Sequence, residues 1–138
     1  MPLPGSKRSK PQLPSAVELD FAVPTVVDQR ALDVLKRLPP RAVAHTVDRL
    51  KSWIASHPQV QGVSVRAITD PEAPDWTEVV FELVASTDVP ATLALWSDVA
   101  AHLDAIRHLL HPAEATLLNR HIAVHFVTPE ELTGRAPL

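Results

Sequence analysis

Apolar and polar residues alternate strictly from Ala16 to Val23, with Val17, Leu19, Phe21 and Val23 on one side and Glu18, Asp20 and Ala22 on the other. A period of two predicts a half-buried strand, which Pro24 ends. The period then changes. Thr25 sits three residues before Asp28 in a capping-box-like start, and Ala31, Val34, Leu35 and Leu38 recur at helical spacing until Pro39-Pro40. Pro40 suits the first turn of a second helix, whose face is Val43, Val47, Leu50, Trp53, Ile54 and His57, before Pro58.

Alternation returns over residues 60–69 and 77–86. Val63, Val65 and Ala67 oppose Ser64, Arg66 and Ile68, and Val79, Phe81, Leu83 and Ala85 oppose Val80, Glu82, Val84 and Ser86. A long hairpin loop, residues 70–76, is expected between these two strands. Asp88 is the expected N-cap of a helix over residues 90–110. Its main stripe is Leu93, Trp96, Val99, Ala100, Leu103, Ile106 and Leu110, widened by Leu95 and Leu109 to about half the circumference. After His111-Pro112 and a short helical turn, residues 120–127 form a last strand, with Ile122, Val124 and Phe126 opposite His121, Ala123, His125 and Val127.

Strand, split helix, strand, strand, helix, strand is the order of a ferredoxin-like α+β sandwich, a four-stranded antiparallel sheet with helices on one face. The domain covers residues 16–128, between a Pro-rich basic tail (1–15) and a C-terminal tail (129–138). Residues 16–23 could instead pair with a second chain.

With helices on one face, the other face is open in a monomer. It carries Ser64, Arg66, Ile68, Val80, Glu82, Val84, His121, Ala123, His125 and Val127. Half of these are apolar, which favours association of two copies through the sheet. Arg66 and Glu82 are expected to form a cross-strand ion pair. His121, His125 and Glu82 have the chemistry of a metal or acid–base site, but histidines at i and i+4 on a strand stand about 13 Å apart, too far to share one ion. The loop supplies Asp70, Glu72, Asp75 and Trp76, residues suited to turn formation, with partner recognition or a hard cation as functional readings. His108 and His111 fit a solvated helix end, His102 a pairing with Asp98 one turn earlier, and His57 an inward-facing position.

The composition narrows the chemistry. At 138 residues with 46% hydrophobic and 21% charged, the chain can bury a single core. Zero cysteines exclude disulfides, thiolate zinc sites, iron–sulfur clusters and cysteine nucleophiles. Three glycines leave no phosphate-cradling loop, and GxSxG and HExxH are absent. No cofactor is implied. The open face has no aromatic residue on which to stack RNA bases. No apolar run is long enough to span a bilayer, and the first residues lack the apolar stretch of a signal peptide, so a soluble cytoplasmic protein is expected. Lys7, Arg8 and Lys10 sit in a segment without acids, so the rest of the chain is more acidic than the overall net charge of −3. An acidic body disfavours nucleic acid, which leaves the basic tail as its only expected contact. The leading expectation is a non-catalytic interaction or regulatory module, acting as a homodimer or as a subunit of a complex. A metal-binding protein or small enzyme using the face histidines or the 70–76 loop is the alternative.

Overall fold

A computed structural model describes residues 19–133. The first strand, β1 (Thr25–Val27), consists of three β-branched residues, whose stiff side chains suit an extended backbone. Its ladder begins one residue earlier, where the Val63 N–H donates to the Pro24 carbonyl at 3.0 Å. This corrects the strand expected at 16–23. Leu19 to Val23 form no strand, and residues 16–18 lie outside the described part. Proline has no N–H but keeps its carbonyl, so pairing starts at Pro24 instead of ending there. Within the described residues Phe21 is buried, with its ring edge-on to Phe81 at 6.3 Å, and Leu19 and Val23 pack against the core.

Asp28, not Thr25, caps α1 (Gln29–Leu35), accepting from the backbone N–H of Arg30 and also of Ala67 on the next strand. Helix α2 (Pro40–Ala55) follows with Pro40 in its first turn, and Val43, Val47, Leu50, Trp53 and Ile54 buried as their spacing predicts. Strands β2 (Val60–Asp70) and β3 (Ala73–Ala85) form a long hairpin. The expected 70–76 loop shrinks to Pro71-Glu72, where the Asp70 carboxylate accepts from the Glu72 N–H. Pairing passes from Thr69 with Thr77 to Asp70 with Ala73, so residues 74–76 bulge, a position that tolerates Pro74 in a strand.

Asp88 caps α3 (Val89–Asp104), its carboxylate accepting from the Ala91 N–H at 2.8 Å. A 3₁₀ turn (Ala105–Leu109) leads to α4 (Pro112–His121), a helix of ten residues where only a short turn is expected. His111 caps it reciprocally: its Nδ1 accepts from the Ala113 N–H, and Glu114 accepts from the His111 N–H. Strand β4 (Ile122–Val127) and the short α5 (Pro129–Thr133), which lies within the expected C-terminal tail, complete the described chain.

The sheet order is β1-β2-β3-β4, with β1–β2 and β3–β4 parallel and β2–β3 antiparallel. The protein is therefore α+β with a mixed four-stranded sheet, not the fully antiparallel sheet of the ferredoxin-like expectation. Each helical connection joins neighbouring strands, whereas a split β-α-β unit leaves room for a third strand between them. Val63, Val65, Val79, Phe81 and Leu83 form one core with α1, α2 and α3, and Ile122, Val124 and Phe126 pack against it. All three helices thus cover one face. With β2 and β3 antiparallel and this strand order, the two crossovers then have opposite hands, a departure from the usual right-handed rule.

The second face is not open. Strand β3 is bonded on both sides and α5 returns against it. Along this face Ser64, Val80, Glu82, Val84 and Val127 are all buried in the single chain, Val80 completely. Side-by-side valines gain about 1.5–3 kcal/mol each on leaving water, and here the folded chain itself takes that gain. The expected bare sheet face is corrected accordingly.

Candidate functional site

The residues expected on the open face are dispersed by the strand register. Arg66 stands opposite Val80, and Glu82 stands between Ser64 and His125, so Arg66 and Glu82 are diagonal neighbours and not directly opposed across the strands. The Arg66 Nε is buried with no hydrogen-bond partner. Ile68 and His125 remain exposed at the margins and Ala123 is half-buried. His125 meets the Trp96 ring edge-on at 6.2 Å, whereas His121 stacks on Trp76 at 5.3 Å and faces the Thr77 carbonyl through Nδ1. Among the described residues, no three metal-ligating side chains come together. In the hairpin, Asp70 and Glu72 serve the turn, Asp75 is exposed, and Trp76 carries the Arg120 guanidinium 4.8 Å above its ring.

A polar cluster that local spacing does not reveal joins α2 to α3. His57 Nε2 lies 3.0 Å from Asp98 Oδ2, and the Trp53 indole donates to the same oxygen at 2.8 Å. The Trp53 and His57 rings stack at 4.0 Å. Asp98 therefore serves residues far away in sequence and not His102, whose Nε2 is buried without a partner. Ser56 Oγ lies 3.3 Å from His57 Nδ1, which brings serine, histidine and aspartate together. The trio is not arranged as a nucleophile and its base. Nδ1 also lies 2.7 Å from the Trp53 carbonyl, a closer partner than the serine hydroxyl. The Ser56 hydroxyl is itself turned to the Ser52 and Trp53 carbonyls.

The most distinctive surface lies on α3. From Val89 to Ala101 the only ionisable side chain is Asp98, yet burial reaches only Leu95 and Val99. A helix apolar nearly all round belongs in an interior, and this one has most of its circumference in water. Val89, Leu93 and Trp96 are 72%, 56% and 45% exposed, and with exposed Ala100 they make one stripe. Of the expected stripe the structure buries Leu95, Val99, Ile106 and Leu110 and leaves Leu93, Trp96 and Ala100 exposed. The missed signal was a single ionisable side chain, Asp98, in thirteen positions, which periodicity alone does not score.

Beside the stripe a cavity of about 210 Å³ opens between α3, the 3₁₀ turn, α4 and β4. Val99, Leu103, Ile106, Leu118, Ile122 and Val124 line its interior, and Asp104, Arg107 and Asn119 its polar side. The Arg107 Nε donates to Asp104 Oδ1 at 3.1 Å, and its Nη2 to Asn119 Oδ1 at 3.3 Å. No helix among the described residues is long and apolar enough to cross a membrane. Comparison with known proteins returns no matching family model, no matching curated protein and no matching solved structure.

Proposed function

We propose that the protein is a small non-catalytic interaction module of the cytoplasm that acts as a homodimer, with α3 as its docking element. The observation that carries this reading is the exposed apolar stripe of Val89, Leu93, Trp96 and Ala100 on a helix face without free charge. Its spacing of four, three and four residues is symmetric about its midpoint. A two-fold axis perpendicular to the helix maps such a stripe onto itself, setting Leu93 of one copy against Trp96 of the other and Val89 against Ala100. Large residues then meet smaller ones, and Ala94, Ser97 and Ala101 beside the stripe allow close approach of the backbones. Identical faces meet without like-charge repulsion, because Asp98 is engaged by His57 and Trp53. A chain without cysteine draws no stability from an oxidising compartment, in keeping with the cytoplasm.

Light scattering of the purified protein tests the reading. A dimer is expected, and Leu93→Glu is expected to give a folded monomer that still melts cooperatively, at a temperature lowered only by the loss of association. A wild-type monomer, or a dimer that survives Leu93→Glu, would overturn it.

A further inference from the structure

We infer that the cavity between α3, the 3₁₀ turn, α4 and β4 is a binding site for a small neutral molecule with one ring-sized apolar body and a carbonyl oxygen. Size sets the body. A closed apolar cavity of about 150 Å³ holds one benzene ring, so the 210 Å³ here accepts a six-membered ring with its substituent directed to the polar side. Val99, Leu103, Ile106, Leu118, Ile122 and Val124 offer that ring only hydrocarbon. The one lining hydroxyl, on Thr46, already donates to the Ala42 carbonyl at 2.9 Å, so it has no proton for a ligand.

The polar side sets the head group. Arg107 spends one N–H on Asp104 and one on Asn119, which leaves other guanidinium hydrogens without a protein acceptor. The bond from Arg107 also fixes the Asn119 oxygen toward the guanidinium, leaving the amide N–H₂ free to donate. Donors therefore exceed acceptors, and an acceptor oxygen on the ligand is the complement. Asp104 cancels the Arg107 charge, so a neutral carbonyl fits better than a carboxylate, which would face the Asp104 oxygens. Trp96 and Ala100 belong both to the α3 stripe and to the cavity lining, so the site adjoins the proposed dimer face and is tested with and without that contact.

The test is a titration of the full chain with benzamide, benzoate and toluene, followed through the methyl NMR signals of Leu118 and Val124, in both wild type and the Leu93→Glu variant. Benzamide is expected to shift these signals at the lowest concentration in both proteins. Arg107→Met, at an exposed position, is expected to weaken benzamide roughly tenfold, the loss of one charge-assisted hydrogen bond, and to leave toluene unchanged. Asp104→Asn is expected to bring benzoate up toward benzamide. Ala115→Leu, which fills the cavity, should abolish all three responses. Unshifted methyl signals with every probe would overturn the site. Equal responses to benzamide and toluene, or an Arg107→Met variant that weakens both alike, would overturn the assigned head group.

Discussion

Trp53 on α2 donates its indole N–H to Asp98 on α3 across 45 positions of sequence, and the same carboxylate oxygen meets His57. The indole is 2% exposed, so its N–H has few alternatives to this acceptor. Asp98→Ala is expected to destabilise the fold by about 1–2 kcal/mol, the cost of a donor left unmet, and Asp98→Asn by less because an acceptor remains. Urea titrations of these variants, combined with Trp53→Phe in a double-mutant cycle, measure the coupling. An additive cycle would show that the bond contributes nothing.

Val80 and Leu93 separate a buried valine from an exposed leucine in one experiment. Val80→Glu places a carboxylate in a fully buried position on β3 and is expected to unfold the chain or remove several kcal/mol of stability. Leu93→Glu, on the exposed stripe, is expected to keep a cooperative unfolding transition, lowered only by the loss of association. Circular dichroism melts of the two variants decide the matter.

Gly62 sits in β2 beside a register shift, where an added Cβ would lie 3.3 Å from the Pro24 carbonyl oxygen. That oxygen accepts the first bond of the β1–β2 ladder. Gly62→Ala is therefore expected to push β1 outward and destabilise by about 1–3 kcal/mol, as overpacking does. Amide exchange should show faster exchange of the Val63 N–H, while the central residues of β3 keep their protection.

His111 performs the capping that serine or aspartate more often supplies. Removing its ring nitrogen leaves the Ala113 N–H unbonded at the start of α4. His111→Ala is expected to cost about 0.5–2 kcal/mol and to fray the first turn of that helix, whereas His111→Asp is expected to hold it. Chemical denaturation ranks the two variants.

Period-two alternation assigned the two sides of β2, β3 and β4 correctly, and the 3.6-residue spacing found the inward face of α2. These patterns are legible because each buried side chain reports its own environment. Strand β1 was not legible, since three residues are too few to show a period and its ladder starts at a proline carbonyl. Strand order was not legible either, because alternation names faces and not neighbours. Val80, Val84 and Val127 were sorted to the right side, but a pattern cannot say whether that side is covered. Asp98 was assigned to His102 by local spacing, whereas it is engaged across two helices. The α3 stripe was legible as an apolar surface but not as an exposed one.

Because the strands lie in the sheet in the order in which they occur along the chain, the Pro71-Glu72 turn falls on its midline. A single cut there would part the described molecule into two contiguous fragments, one ending in β2 and the other beginning with β3. They would be held together by the β2–β3 ladder and by the packing of α1 and α2 against β3, α3, the 3₁₀ turn and α4. The protein is thus already laid out for reassembly from separately expressed halves, each carrying one of the two oppositely wound crossovers.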